Sequence, residues 1–143
     1  MNGRVGLVDL AVRDVERSTA FYQALGWHLS SASVAGEVSF FNTEGGLLAV
    51  WGHQALADDA DLPAGPVPAY RGASYAVNLE SRGLVEELLG LATAAGGMIA
   101  RPAQETEWGG YNGYFLDPDG HLWEAAHSPG WPIGPDGRSQ LPL

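Results

Sequence analysis

The sequence predicts an α+β fold built from two tandem βαβββ modules. Three observations lead there. The order strand, helix, then three strands occurs twice along the 143 residues. A turn-forming glycine closes each helix, Gly26 in the first half and Gly96-Gly97 in the second. Finally, FFNTEGGLLAV in the first half can be laid on YFLDPDGHLWE in the second, with Gly46 on Gly120 and Val50 on Glu124. One such unit leaves a sheet with one uncovered face, and a second unit can bury it, which is the physical logic of a repeat.

The elements follow in order. Residues 4–12, RVGLVDLAV, alternate as a strand, with Val8, Leu10 and Val12 on one face and Leu7, Asp9 and Ala11 on the other. Asp14 is the expected N-cap of a helix that carries Val15, Ala20, Phe21 and Leu25 at helical spacing. WHLSSASV, EVSFFNT and LLAVWG, separated by Ala35-Gly36 and Gly45-Gly46, read as an antiparallel meander. Residues 53–71 hold three aspartates and then Pro63, Pro66 and Pro68, a linker with one helical turn at its start.

The pattern then repeats. ASYAVNL is a strand, and Ser81 caps a helix through about Ala95 with Leu84, Leu88 and Leu91 on one face. GMIARP, the NGYFLD strand, the DPDG turn and HLWEAAH complete the unit. The expected organisation is a first module at 1–52, a linker at 53–71, a second module at 72–127 and a Pro- and Gly-rich tail at 128–143.

Composition narrows the function classes. Hydrophobic residues are 45% of the chain, enough for a core, and the net charge is −10. That sign disfavours nucleic acid and anionic membrane surfaces. No cysteine is present, so disulfides, thiolate metal sites and thiol nucleophiles are excluded. No apolar run approaches the roughly 20 residues that span a bilayer. MNGRVGLVDL has no basic segment followed by a long apolar stretch, so the expectation is a cytoplasmic protein without a signal peptide. Phosphate-loop, GxSxG and HExxH motifs are absent.

LAVRDVERSTAFYQALGW near the start and GYFLDPDGHLWEAA near the end resemble the vicinal oxygen chelate superfamily, which includes glyoxalase I, extradiol dioxygenases and bleomycin-resistance proteins. The resemblance spans about residues 4–127. It implies that the two modules curve a mixed sheet around a cup-shaped cleft. It also implies four cup positions that carry His, Glu or Gln in metal-dependent members. Carried over singly, they fall on Leu7, Val50, Ser74 and Glu124. Leu and Val cannot coordinate a metal and Ser is a poor ligand, so one carboxylate stands where three or four protein groups are usual. The expectation is therefore no metal and no cofactor. An Asp9, His53 and Glu124 set is the alternative that would rescue one.

Alternation places Asp9 beside Leu7 and Asn78 beside Ser74 on the cup side. Trp108, Tyr111 and Tyr114 offer stacking surfaces, and Gly109-Gly110 lets a flat molecule approach the backbone. The expected ligand-binding set is Leu7, Asp9, Val50, Ser74, Asn78, Trp108, Tyr111, Tyr114 and Glu124, with no catalytic residue assigned. Trp51 and Trp123 are expected under the helices. Glu124 has two open readings, a polar structural contact or a ligand contact. The function implied is a metal-free homodimer that sequesters an aromatic or cationic small molecule, as bleomycin-resistance proteins do. The rival is a glyoxalase-like lyase or isomerase, or a dioxygenase, using Glu124.

Overall fold

The computed structural model describes residue 3 and residues 5–141. Arg4, expected to begin the first strand, and the last two residues of the tail lie outside the described residues. The chain divides into two compact units between Pro68 and Ala69. Each unit contains an open four-stranded mixed sheet, so the α+β reading holds.

The first unit runs β1 (Leu7–Val12), α1 (Val15–Ala24), β2 (His28–Leu29), β3 (Val38–Thr43), β4 (Gly46–Gly52) and α2 (His53–Asp59). Its strand order is β1-β4-β3-β2, with β1 parallel to β4 and the other pairs antiparallel. Asp14 caps α1 by accepting from the Arg17 amide at 3.0 Å. Gly26, at φ 91°, reverses the chain just past the helix in a conformation that favours glycine. Val15, Ser18, Phe21 and Tyr22 form the buried face of α1. Leu10, Val12, Phe41, Leu48 and Val50 supply the buried face of the sheet. Full burial of a side chain such as Phe41 stabilises by about 1.5–3 kcal/mol. The hydroxyls of Thr19 on α1 and Ser39 on β3 meet at 2.7 Å, which fixes this as the helix-facing side.

The segment expected as a linker opens with more helix than one turn. α2 has seven residues, and Gln54 Nε2 donates to Asp58 Oδ1 at 2.6 Å across one turn of it.

The second unit runs β5 (Tyr75–Asn78), α3 (Arg82–Ala94), β6 (Met98–Glu105), β7 (Tyr111–Leu116) and β8 (Leu122–His127). Its order, β5-β8-β7-β6 with β5 parallel to β8, repeats the first unit's topology. Ser81 caps α3 by accepting from the Leu84 amide at 3.2 Å. The buried stripe of α3 is Val85, Leu88, Leu89 and Ala92, not the expected Leu84, Leu88 and Leu91. Leu84 and Leu91 are exposed because the i, i+3, i+4, i+7 stripe starting at Val85 faces the sheet. Beneath it Phe115 and Trp123 stack at 6.2 Å, so Trp123 does lie under the helix.

Gly113 makes that packing possible. A Cβ there would sit 2.6 Å from Leu89 Cδ1 and 2.9 Å from the backbone nitrogen of Ala103. In the tail, a short bridge pairs Ile133 with Ser139.

Candidate functional site

Each sheet has one face turned away from its helix, and register shows what that face carries. In the second unit, Ala76, Glu124, Tyr114 and Arg101 form one row across all four strands. The adjacent row holds Asn78, Ala126, Asn112 and Gln104. Directly paired residues project to the same side of a sheet. Four of these polar side chains interlock. Asn112 Nδ2 donates to Glu124 Oε1 at 2.5 Å. On its other side the Asn112 Oδ1 accepts from Arg101 Nη2. The Arg101 guanidinium lies over the Tyr114 ring, 5.1 Å from its centre.

Asn112 is buried, while Glu124, Tyr114 and Arg101 are half-buried. One amide therefore joins a carboxylate and a guanidinium, and each of its ends meets the complementary charge. The Tyr114 hydroxyl is held above its ordinary pKa. Burial is the first cause, followed by the Glu124 charge and the hydrogen bond to that carboxylate, with Arg101 pulling the other way. Tyr114 thus keeps its proton beside the Glu124 carboxylate. The arrangement presents an acid–base pair, a fixed cation and an aromatic ring on one surface.

In the first unit the matching row is Asp9, Ala49 and Phe40, beside Ala11, Trp51 and Val38. Leu7 and Asp9 are exposed on this face, as expected.

Several expected site residues point elsewhere. Val50 is fully buried and pairs with Leu10 and Ser39, on the α1 side. The reason is hairpin length. Gly46 is already inside β4, paired with Thr43. The turn glycine equivalent to Gly120, at φ 85°, is Gly45, at φ 94°. Laying Gly46 on Gly120 slips the register by one, and a one-residue slip exchanges the faces of a strand. Ala49, not Val50, stands where Glu124 stands. Trp51, expected under a helix, is for the same reason on the Asp9 face.

Tyr111 also faces the helix, since its hydroxyl donates to Glu86 of α3 and Arg82 lies over its ring at 5.3 Å. Trp108 is exposed in the β6–β7 turn. Its own ring occupies the space beside Gly110, where a Cβ would come within 1.8 Å of it. That approach to the backbone is taken by the chain itself. Ser74 is exposed just before β5, and Asn78 is half-buried in the Asn112 row.

Arg101 and Asn112 were not among the expected residues. Asn112 could have been found, because it lies two residues before Tyr114 on one strand and so shares its face. Arg101 was hidden, since register shifts on both sides of it break the alternation of β6.

The positions that resemblance marks for a metal do not fit one. They carry Leu7, Ser74, Glu124 and, by the corrected register, Ala49, and the one carboxylate is engaged by Asn112. Among the described residues, no group of three or more His, Asp or Glu side chains is placed to hold an ion. His53 Nε2 meets the Gly65 carbonyl at 3.3 Å. None of the helices among the described residues is long and apolar enough to cross a membrane.

Two βαβββ units in tandem, the second with a polar open face, are the plan of a protein of the vicinal oxygen chelate type. The family model of the Glyoxalase/Bleomycin resistance protein/Dioxygenase superfamily matches residues 4–125, and the chain belongs to that superfamily. It is similar to a glyoxalase-related enzyme from Fulvimarina pelagi, at 34% identity and TM-score 0.86, over 98% of this chain and 99% of that one. A glyoxalase/bleomycin resistance protein/dioxygenase from Nocardioides is 27% identical, with TM-score 0.73, covering 89% of this chain and 84% of its own. Lactoylglutathione lyase from Agrobacterium tumefaciens shares the fold at 18% identity and TM-score 0.69, over 90% of this chain and 96% of that one. A search of curated proteins returns no match.

Proposed function

We propose that this chain binds and sequesters an aromatic or cationic small molecule on the open face of the second sheet, without a metal, after the manner of the bleomycin-resistance branch of its superfamily. The observation that carries this reading is the Asn112 amide bound to Glu124 on one side and Arg101 on the other. A carboxylate engaged by a buried amide is a fixed polar anchor rather than a ready metal ligand. Tyr114 beside it supplies a ring for stacking, and the net charge of −10 favours a cationic ligand. Holding a toxic compound in this way would confer resistance to it. We read the protein as a cytoplasmic homodimer, since two-fold pairing is the commonest assembly.

A second reading is an enzyme in which Glu124 takes a proton from substrate. The Glu124 charge that helps to raise the Tyr114 phenol favours it, as does the likeness to the glyoxalase-related enzyme from Fulvimarina pelagi. Native mass spectrometry of protein purified without chelator separates the two. A metal-free dimer retaining an organic molecule is the expected result. One stoichiometric divalent ion per subunit would overturn the binding reading. So would a Glu124→Gln variant that turns over no substrate while holding it as tightly as before.

A further inference from the structure

A second, smaller site lies within the second unit, at the turn between β7 and β8. A cavity of about 120 Å³ opens there between the chain leading into β5 and the turn. Drug-sized pockets run from roughly 300 to 1,000 Å³, so this one suits a far smaller molecule. Ala69, Ala73, Leu116 and Leu122 give it apolar walls, and Arg71 and His121 give it a polar one.

Arg71 is half-buried and His121 is buried. Arg71 Nη1 lies 2.7 Å from His121 Nδ1 and 3.1 Å from Nε2. A guanidinium can only donate, so a ring nitrogen of His121 accepts from it. Arg71 Nη2 donates to the Asp119 carbonyl at 2.5 Å. The Nε is buried and has no hydrogen-bond partner. The guanidinium is therefore under-bonded at Nε. A cation drawn partly out of water is stabilised most by an anion.

Gly120 keeps the approach narrow but open. A Cβ there would stand 3.4 Å from Arg71 Nη2, and the residue's φ of 85° favours glycine. Two of the five guanidinium N–H groups serve His121 and Asp119, and each terminal nitrogen keeps one more.

We propose that this cavity binds a short-chain carboxylate, with the carboxyl group on Arg71 and the alkyl part against Leu116 and Leu122. In a chain of net charge −10, it is a local site for an anion. The site is separate from the Glu124 network and does not rest on the function proposed above.

Amide-resolved NMR of the intact chain, titrated with propionate and then with propionamide, tests it. The two probes match in shape and differ in charge. Propionate is expected to shift the amides of Gly120, His121 and Leu122, and to bind about tenfold more tightly than propionamide, the difference between a charge-assisted and a neutral hydrogen bond. Arg71→Gln should erase that preference and Arg71→Lys should keep part of it. Equal affinity for the two probes, shifts confined to other regions, or no shift at all would overturn the proposal. Because the deciding comparison is made on the unaltered chain, it stands even where Arg71→Gln disturbs the fold.

Discussion

The open faces of the two sheets share a backbone plan and differ in chemistry. Phe40 and Ala49 in the first unit occupy the places of Tyr114 and Glu124 in the second, and Val38 the place of Asn112. The first is apolar at its centre, with Asp9 on β1 and Asn42 and His28 toward the opposite edge, and the second is a hydrogen-bonded polar network. The strand opposite Tyr114 adds to the contrast. β6 is eight residues long and brings Arg101 into the row, whereas β2 has two residues and pairs only with Phe41 and Asn42. Repetition thus fixes where a side chain can stand, and divergence within the repeat decides what stands there.

The helix-facing sides differ as well, and here the largest effect is expected. Gly113 in the second unit corresponds to Ser39 in the first. α1 leaves room for a hydroxyl that bonds Thr19, whereas α3 places Leu89 where any Cβ would go. Gly113→Val should destabilise the chain by about 3 kcal/mol or more, because backbone as well as side chain must move. Ser39→Ala should cost about 1 kcal/mol, since Thr19 keeps its bond to the Val15 carbonyl. Urea unfolding of both variants measures the ratio. Equal costs would mean that the two helices sit equally close to their sheets.

Asn112→Ala comes next, at about 2 kcal/mol, because it strips a partner from both Glu124 and Arg101 at a buried position. The corresponding change in the first unit, Val38→Ala, breaks no polar contact, and its cost should follow lost apolar area alone. A double substitution of Asn112 and Glu124 to alanine that costs no more than Asn112→Ala would confirm that the two act as one unit. Full additivity would show that they do not.

How legible this was in the sequence depended on which physical rule each residue obeyed. The caps at Asp14 and Ser81 were readable because a short polar side chain before a helical stripe has one main use. The polar open face was readable at Tyr114 through simple alternation and at Glu124 through the resemblance. It failed at Val50, where two adjacent glycines, Gly45 and Gly46, made the turn's length ambiguous by one residue and so reversed the face. Tyr111 and Tyr114 are three apart on one strand, and both could not line one face. Arg101 required the register shifts of β6, which follow from pairing with β7 and leave no mark in local composition.

The smallest effect separates the two tyrosines of β7. Both phenols are held above their ordinary value, by different partners on opposite faces. For Tyr111 the hydrogen bond to Glu86 is the leading cause, and for Tyr114 burial leads, with Glu124 next. A proton held more tightly in the folded state contributes stability that is present below the unfolded tyrosine value of about 10 and is lost as pH rises through the folded one. Alkaline titration with ¹³C-labelled tyrosine should therefore show both residues ionising late. Glu124→Gln should bring Tyr114 down and leave Tyr111 in place, and Glu86→Gln should do the reverse. Tyr114 should stay somewhat above the ordinary value even in Glu124→Gln, since its burial remains. A Tyr114 indifferent to Glu124→Gln would mean that the carboxylate does not engage the phenol. The polar row would then reduce to Asn112 with its two charged neighbours, and the acid–base pair on which the enzymatic reading depends would be gone.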